Sequence, residues 1–297
     1  MNQALVTITT VCELRQAVKQ ARQAGKTIAF VPTMGALHEG HASLIRRAVS
    51  PLAYIVVSIF VNPTQFRPTE DFSRYPRTLE HDLQLCQQSG AHLIFAPTVE
   101  EMYGTHSFAA GEKASSSFVE VPGISDVLEG RSRPGHFRGV ATVVAKLFHQ
   151  VQPDLAYFGQ KDAQQLAVIR RMVADLHMPV EIVACPTLRE DDGLAMSSRN
   201  RYLSPEQRTQ CTVIYHALSE ARERVQEGER DAHFLEVLMK GMLQDTPGCE
   251  PDYAVIVDPE TFVPKEMING PALALIAARF GTTRLIDNLL LTGPLTA

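Results

Sequence analysis

The sequence lacks the marks of a secreted or membrane-embedded protein. It has five cysteines among 297 residues, and no two of them form a CxxC pair. An odd, scattered set of this kind indicates reduced thiols rather than a disulfide framework. No apolar run approaches the roughly 18 residues of a membrane helix, and the N-terminus lacks the basic segment and long apolar run of a signal peptide. We therefore expect a cytoplasmic protein without a membrane partner.

Excess positive charge is also absent. Lys and Arg number 28 against 33 Asp and Glu, which gives a formal net charge of −5. A mildly acidic chain is a poor candidate for a general nucleic-acid binder, although it can hold a local basic pocket. Hydrophobic residues make up 45% and charged residues 21%, which is typical of a globular protein rather than a disordered or coiled-coil chain. The length predicts about two domains.

Three common binding motifs are missing. No Gly-x-x-x-x-Gly-Lys-Ser/Thr sequence occurs, which excludes a Walker-type phosphate loop. No Gly-x-Gly-x-x-Gly follows the first predicted strand, which argues against a dinucleotide oxidoreductase. His38 and His41 lie within His-Glu-Gly-His, but this segment lacks the His-Glu-x-x-His spacing that puts two zinc ligands on one helical face. A zinc centre is therefore disfavoured.

Short apolar runs alternate with helical patterns through the first two thirds of the chain. The runs lack polar alternation, as expected for strands covered on both faces: Ile28–Val31, Tyr54–Val61, Leu93–Ala96, Leu155–Phe158 and Val180–Ala184. The helical patterns are Cys12–Ala24, His41–Val49, Thr78–Ser89, Val140–Val151 and Gln164–Leu176. This repetition predicts a doubly wound, Rossmann-like parallel α/β sheet, whose ligands bind beyond the carboxyl ends of the strands.

The pattern changes near residue 186. Ser204 reads as a helix N-cap, with helical periodicity to about Val225, and a second helix is predicted over Ala232–Leu243. Apolar runs then follow at Tyr253–Val257 and Ala272–Ala278. We therefore predict a first domain of residues 1–185 and a smaller α+β lid domain of residues 186–297.

The strongest candidate segment follows the first predicted strand. After Phe30 and Val31 the chain reads Pro-Thr-Met-Gly-Ala-Leu-His-Glu-Gly-His, so a glycine turn leads into a helix that begins near His41. A helix N-terminus presents unpaired N–H groups to a phosphate. His38 and His41 can both donate hydrogen bonds to the same anion. The alternative is a turn with two partly exposed histidines.

Two further segments follow predicted strands. Asn62 and Gln65 come after the second strand, and their amides can hold a small polar substrate. An ordinary Asn-Pro turn is the alternative. Lys161 comes after the fourth strand and can neutralise a phosphate oxygen, while Gln165 lies one helical turn further on. Here the alternative is a helix start with an exposed lysine.

Two other segments carry arginine. Residues 131–139 contain three arginines and a histidine, which suits a polyphosphate, although a solvated loop is equally compatible. Met196-Ser197-Ser198-Arg199 can form a mobile clamp over a nucleotide, with a hinge and helix-capping serines as the alternative. Glycine, hydroxyl or amide groups thus recur beside positive or protonatable side chains, which favours one nucleotide-phosphate site.

In this order, the segments resemble the pantothenate synthetase (pantoate–β-alanine ligase) family over nearly the whole chain. The family's opening motif, Pro-Thr-Met-Gly-x-Leu-His-x-Gly-His, is matched from Pro32 to His41 without a departure. It is this family's version of the two-histidine signature of nucleotidyltransferases and class I aminoacyl-tRNA synthetases. Residues 196–199 are similar to the synthetases' second, lysine-serine signature. The resemblance also implies a homodimer.

The reaction follows from the same resemblance. The carboxylate of (R)-pantoate attacks the α-phosphorus of ATP, pyrophosphate leaves, and the amine of β-alanine then displaces AMP from pantoyl adenylate to give pantothenate. Mg²⁺ is expected to bridge phosphate oxygens with few protein ligands of its own. Such an enzyme has to hold two anions together and keep water from the adenylate. Positive charge, oriented N–H groups and a closing loop serve those needs.

The resemblance implies roles position by position. The ATP-binding residues would be Met34, Gly35, Ala36, Leu37, His38, Glu39, Gly40, His41, Gly159, Gln160, Lys161, Asp162, Leu188, Met196, Ser197, Ser198 and Arg199. The catalytic residues among them would be His38, His41, Lys161, Ser197, Ser198 and Arg199, with His41 as a proton donor. Gln65 and Gln165 would hold pantoate, with Asn62 in support. Asp82 is an acidic candidate for supporting Mg²⁺.

Two departures and two competing functions are left open. Position 163 is Ala, where an aromatic residue is common in relatives, and the Gly104–Phe118 loop looks longer than usual. A related adenylyl- or cytidylyltransferase would stop at a nucleotide-containing product. A non-catalytic nucleotide sensor would not need groups for both carboxylate and phosphate. The residues that argue against it are the intact His38, His41, Lys161, Ser197, Ser198 and Arg199.

Overall fold

The computed structural model describes residues 5–67, 72–104 and 117–293. Its helices are α1 Val11–Gln23, α2 Glu39–Arg47, α3 Leu79–Ser89, α4 Val99–Tyr103, α5 Glu129–Ser132, α6 His136–Val151, α7 Ala163–Asp175, α8 Pro205–Gln210, α9 Val213–Gln226 and α10 Ala232–Gln244. Its strands are β1 Val6–Ile8, β2 Thr27–Thr33, β3 Ala53–Ile59, β4 Leu93–Phe95, β5 Leu155–Gly159, β6 Glu181–Cys185, β7 Cys249–Val257, β8 Ala272–Phe280 and β9 Thr283–Thr292.

The chain divides into two compact units. The first comprises Met1–Gly159 and Val168–Cys185, and the second comprises Gln160–Ala167 and Pro186–Ala297. The short stretch that contains Lys161 therefore groups with the C-terminal part of the chain. The division into folding domains at residue 186 stays a prediction.

The first unit is built on a six-stranded parallel sheet in the order β1-β4-β3-β2-β5-β6. Central strand β2 pairs with β3 on one side and β5 on the other, and its residues Ile28–Val31 are fully buried. The strand order reverses beside β2, and ligands of doubly wound sheets bind at the carboxyl ends of strands at such a point. The predicted doubly wound α/β fold is confirmed.

The second unit contains an antiparallel three-stranded sheet, β7-β8-β9. Apolar side chains of α9 and α10, such as Leu218 and Met239, share one core with strand residues such as Ile256 and Ile276. This is the smaller α+β part that the apolar runs predict. None of the helices in the described parts of the chain is long and apolar enough to cross a membrane.

Short or interrupted elements account for the differences from the predicted secondary structure. Strand β1 and helix α4 are too short to produce a periodic pattern. The single helix predicted from Ser204 to Val225 is interrupted between α8 and α9. There the Thr212 hydroxyl donates to the Thr209 carbonyl at 2.8 Å and competes with helical hydrogen bonding. Most of the Gly104–Phe118 loop lies outside the described residues.

Candidate active site

The chain turns sharply between β2 and α2. Gly35 and Ala36 have φ angles of +77° and +51°. A Cβ at Gly35 would lie 3.1 Å from a carboxylate oxygen of Asp82 and 3.1 Å from Cγ2 of Ile59. Position 35 therefore needs glycine for its backbone conformation and for space. Ala36 is a left-handed residue that is not glycine, so its conformation carries strain.

Asp82, on α3, holds this turn from inside the first unit. Its side chain is 1% exposed, and its Oδ2 and Oδ1 accept hydrogen bonds from the amides of Ala36 and Leu37 at 2.9 and 2.8 Å. The Thr78 hydroxyl also donates to Oδ1, at 3.0 Å. These two amides, which precede the first residue of α2, therefore bond to the protein.

His38 and His41 cap the start of α2 together. The Gly40 amide donates to His38 Nδ1 at 3.1 Å, and the His38 amide donates to His41 Nδ1 at 3.4 Å. The two ring centroids are 4.2 Å apart. Because both Nδ1 atoms accept, the neutral rings carry their proton on Nε2, from which each can donate to an anion. The sequence analysis missed this capping role.

Gln65 lies on a short 3₁₀ helix, Pro63–Gln65, after β3. Asn62 caps this helix and is 1% exposed; its amide group donates to Gln65 Oε1 at 3.1 Å and to the Gly139 carbonyl at 3.2 Å. The Tyr103 hydroxyl donates to Asn62 Oδ1 at 2.8 Å. Burial raises the pKa of Tyr103, which favours the protonated hydroxyl that this bond needs. Asn62 therefore orients Gln65.

Gln65 also joins two other segments of the first unit. Its Nε2 lies 3.0 Å from the Met34 sulfur, and its carbonyl lies 2.9 Å from His136 Nδ1. Since a carbonyl only accepts, His136 donates from Nδ1 and accepts from Arg133 at Nε2, 3.1 Å away. The arginine-rich segment is thereby connected to the Gln65 helix.

In the second unit, Asn288 fixes the turn that carries Lys161. This turn is the 3₁₀ helix Gln160–Asp162. The buried Asn288 side chain donates to the carbonyls of Gln160 and Lys161 at 3.0 and 2.8 Å. The Lys161 ammonium lies 4.0 Å from the Asp162 carboxylate, and the lysine side chain is 21% exposed. The main chain of Lys161 is thus held in place by strand β9.

A small hairpin carries the serine-rich loop. The Met196 amide donates to the Leu188 carbonyl at 3.0 Å. Ser197 then caps the 3₁₀ helix Ser198–Tyr202, and its hydroxyl accepts from the Arg199 amide at 3.3 Å. The Ser197 hydroxyl thus caps this 3₁₀ helix, and its role as a phosphate clamp stays a prediction.

An ion pair anchors this hairpin to β9. The Arg189 guanidinium donates to both carboxylate oxygens of Asp287, at 2.5 and 3.1 Å, and lies 4.3 Å from the ring centroid of Tyr215. Asp287 is 4% exposed. A bidentate, stacked guanidinium has a well-defined orientation. The adjacent residues Asp287 and Asn288 thus hold the hairpin and the Lys161 turn.

These contacts surround a cavity in the second unit. Lys161, Ser197, Asn200 and Asp287 supply its polar lining. The Oδ1 atom of Asn200 is buried and has no hydrogen-bond partner among the described residues. Apolar residues such as Leu194, Ile214 and Leu285 line the rest of this small cavity.

The remaining predicted residues are distributed as follows. Gly159 ends β5, and Glu39 and Gly40 begin α2. Gln165 is half-buried on α7, whereas Asp162 is exposed. Ser198 and Arg199 are half-buried in the 3₁₀ helix that follows Ser197. Glu39 forms an ion pair with Arg46.

All five cysteines are free thiols. Cys12 is exposed and Cys249 is half-buried, whereas Cys86 and Cys211 are buried, as is Cys185. Burial, with a contribution from the nearby Asp82 charge, raises the pKa of Cys86 to about 12. Burial raises the pKa of Cys211 to about 11. Buried thiols of this kind are poor nucleophiles.

The sequence analysis missed the residues that hold the candidate site in place. Arg189, Asp287 and Asn288 belong to none of the five segments, and Asn288 lies 127 positions from Lys161. One signal was present: Asp287 and Asn288 interrupt an otherwise apolar run of β9. A buried acidic-amide pair in a strand needs partners, and here the partners are parts of the site.

Replacement of Asn288 by alanine is expected to lower the free energy of unfolding by about 1–3 kcal/mol, because two carbonyls lose their donor. Urea unfolding followed by circular dichroism measures the change. Asn269→Ala is a matched control, since Asn269 is exposed in the same unit; its effect should stay within about 0.5 kcal/mol. An Asn288→Ala protein as stable as the wild type would contradict the role given to these bonds.

The chain is similar in sequence to proteins of known activity. Residues 6–290 match the family described as pantoate-beta-alanine ligase. The chain is 52% identical over 293 residues to a pantothenate synthetase of Acidobacterium capsulatum, and the match covers 95% of each chain. Both similarities extend over almost the full length.

Solved structures of proteins with these names are also similar to this chain. The crystal structure of pantothenate synthetase from Thermus thermophilus is similar with a TM-score of 0.88 and 48% identity, over 97% of this chain and 100% of that chain. The pantoate-beta-alanine ligase of Francisella tularensis, complexed with beta-gamma ATP and beta-alanine, is similar with a TM-score of 0.76 and 31% identity. That match covers 98% of this chain and 99% of the Francisella chain.

Proposed function

Because the chain belongs to the pantoate–β-alanine ligase family, we propose that it joins (R)-pantoate to β-alanine in an ATP-dependent reaction that yields pantothenate, AMP and pyrophosphate. The match of residues 6–290 to this family carries the proposal. The related Francisella tularensis enzyme, described as a complex with beta-gamma ATP and beta-alanine, supports binding of these two ligands here.

Pantoyl adenylate is the intermediate in this proposal. A carboxylate oxygen of pantoate attacks the α-phosphorus of ATP, the bond to the β-phosphate bridging oxygen breaks, and pyrophosphate leaves. The amine of β-alanine then attacks the acyl carbon, the acyl–oxygen bond breaks, AMP leaves and the nitrogen loses a proton. Two anions approach each other in the first step, so oriented donors and cations lower its barrier.

Residues of the first unit supply donors for phosphate and pantoate. His38 and His41 donate from Nε2 to the phosphates of ATP, and His41 acts as the proton donor. The turn Met34–Leu37 lines the ATP site. Gln65, oriented by Asn62 through the 3.1 Å hydrogen bond, holds pantoate and lies near β-alanine.

Residues of the second unit supply positive charge and contacts to the nucleoside. Lys161 binds a phosphate, Asp162 the ribose, and the main chain of Leu188 the adenine. Ser197, Ser198 and Arg199 close over the phosphates, and Gln165 contacts pantoate. Lys161 and Ser197 line the same small cavity of this unit, which supports a shared role for these two residues.

Mg²⁺ accompanies ATP in this proposal and neutralises phosphate charge when bound. Across residues 5–67, 72–104 and 117–293, no three His, Cys, Asp or Glu side chains are placed to hold a metal ion. Asp82 does not fit a Mg²⁺ ligand: it is 1% exposed, and both its oxygens accept hydrogen bonds. Mg²⁺ needs octahedral oxygen ligation and retains several waters. Phosphate oxygens are therefore its expected ligands.

The direct test mixes the purified protein with ATP, Mg²⁺, pantoate and β-alanine. Pantothenate and AMP are expected in equal amounts, and absence of pantothenate would refute the proposal. Pantoate-dependent exchange of pyrophosphate into ATP, measured without β-alanine, reports adenylate formation alone. A nucleotidyltransferase would keep the nucleotide in its final product, and a nucleotide sensor would turn over neither substrate.

Replacement of Gln65 by alanine is expected to raise the KM for pantoate about tenfold or more, because hydrogen bonds to a charged substrate are lost. The KM for ATP should change less than about twofold. Initial rates at varied pantoate and at varied ATP measure the two constants. Gln87→Ala, an exposed glutamine on α3, is the control. An unchanged KM for pantoate with a large rise for ATP would contradict the assignment.

The protein is also proposed to be a cytoplasmic homodimer. Family resemblance supports the dimer, and five unpaired thiols support a reducing compartment. Sedimentation equilibrium should give twice the chain mass of 32.8 kDa. A monomer at that mass would reject the dimer while leaving the reaction untouched.

A further inference from the structure

We infer that Asp82 is a positioning residue for His38 and His41, and that it acts through the main chain of the turn before α2. The effect of Asp82 on catalysis rests on the proposed function, whereas its hydrogen bonds to the turn are independent of that function. The motif from Pro32 to His41 does not reveal this role, because Asp82 lies 46 positions beyond Ala36.

The Asp82 carboxylate binds two consecutive amides, one with each oxygen. Oδ2 accepts from Ala36 at 2.9 Å and Oδ1 accepts from Leu37 at 2.8 Å. Two bonds to adjacent amides restrict rotation on either side of Ala36, so they hold that residue at φ +51°. A left-handed alanine persists only where its surroundings impose it. Asp82 is the buried side chain that does so here.

This turn sets the direction in which α2 begins. Leu37, whose amide Asp82 binds, directly precedes His38, which is the N-cap of α2. The two histidine rings depend on that start, because each Nδ1 accepts an amide of the first helical turn. Release of the Leu37 amide would loosen the orientation of both Nε2 donors.

Thr78 keeps the Asp82 side chain in place. Thr78 is the N-cap of α3, but its side chain does not cap that helix. Its hydroxyl donates instead to Asp82 Oδ1 at 3.0 Å. A threonine at this position normally accepts from a main-chain amide of the first helical turn. The bond to the Asp82 side chain instead indicates that the Asp82 conformation is specifically supported. His81 Nδ1 also lies 3.5 Å from the same oxygen.

The test replaces Asp82 by asparagine, which retains the size but turns one acceptor oxygen into an NH₂ donor. That group cannot accept from an amide, so one of the two bonds is lost. We expect kcat/KM for ATP in the pantoate-dependent exchange reaction to fall at least about tenfold, with the KM for pantoate unchanged within about twofold. Glu80→Gln removes one charge from the same turn of α3 at an exposed position and should behave as the wild type.

Titration with Mg²⁺ separates a positioning role from a metal-ligand role. For a positioning residue, the half-saturating Mg²⁺ concentration stays the same in Asp82→Asn. A rise of about tenfold or more, with recovery of the rate at high Mg²⁺, would identify a metal ligand and overturn the inference.

Hydrogen exchange of the Ala36 and Leu37 amides gives a readout that is independent of activity. At least one of them should exchange about tenfold faster in Asp82→Asn, and the ¹⁵N shifts of the His38 and His41 rings should change with it. Unchanged exchange and unchanged ring shifts would overturn the inference even if the rate fell. If the wild-type protein forms no pantothenate but these changes occur, only the proposed function fails.

Thr78 variants keep the inference testable should Asp82→Asn fail to fold. Thr78→Val removes the hydroxyl and retains the shape, so we expect faster exchange of the Leu37 amide and about a threefold lower kcat/KM for ATP. Thr78→Ser restores the hydroxyl and should recover both. Equal exchange and equal rates in the two variants would count against the proposed support.

Discussion

Replacement of Lys161 by alanine is expected to lower the rate of pantoate-dependent adenylate formation at least about a hundredfold. In the proposed reaction, the Lys161 ammonium balances phosphate charge while pyrophosphate leaves. The structure places this side chain on the cavity that Ser197 also lines, and Asn288 fixes its main chain. Loss of an oriented cation therefore raises the barrier directly. Pyrophosphate exchange into ATP measures the rate of this step.

The controls for Lys161 test whether charge and position both matter. Lys161→Arg keeps the charge with a different shape, so it should retain more activity than Lys161→Ala. Lys19→Ala removes a charge from an exposed position on α1 and should leave the rate unchanged. The Asn288 bonds end on main-chain carbonyls, so the Lys161 variants should unfold at the same urea concentration as the wild type. A wild-type rate of pyrophosphate exchange in Lys161→Ala would refute the role of Lys161 in balancing phosphate charge.

Replacement of His41 by alanine should also lower adenylate formation at least about a hundredfold. The change removes two groups: the Nε2–H that donates to phosphate in the proposed reaction, and the Nδ1 that accepts from the His38 amide at 3.4 Å. The first loss acts on the chemical step, and the second loosens the start of α2. The same exchange assay measures the rate, and urea unfolding measures the stability.

A second substitution separates these two contributions. His41→Gln retains an acceptor that can reach the His38 amide, as glutamine does at the third helical position of a capping box, but it lacks the imidazole. We expect a protein nearly as slow as His41→Ala and closer in stability to the wild type. His216→Ala, at an exposed position on α9, is the control. A near-normal rate of pyrophosphate exchange in His41→Gln would show that the loss in His41→Ala comes from the lost helix cap and not from the lost imidazole donor.

The sheet of the first unit could be predicted because its central strands are continuous apolar runs. Residues Ile28–Val31 of β2 are fully buried, and such a run followed by a helical period is a local signal. Strand β1 has only three residues and comes first in the strand order of the sheet, beside β4. Whether these three residues form a strand depends on the position of β4 in the fold, which no local sequence pattern predicts.

The candidate site could be predicted only where its residues are close in sequence. The turn and both histidines form one continuous motif between Pro32 and His41. Asp82 is visible in the sequence only as an acidic residue, which made it a candidate for Mg²⁺; its burial and its bonds to two amides depend on the fold. Likewise, Asp287 meets Arg189 across 98 positions.

The distribution of thiols has a practical consequence for attaching probes. Cys12, on α1, is exposed, whereas Cys86 and Cys211 are buried and their pKa values are raised to about 12 and about 11. Cys249 is half-buried, and burial raises its pKa to about 11. A maleimide dye or a thiol-reactive surface is therefore expected to react first with Cys12, at the beginning of the first helix. Helix α1 carries none of the residues assigned to ATP or pantoate. The natural sequence thus offers a preferred attachment point for fluorescence or oriented immobilisation without an engineered cysteine.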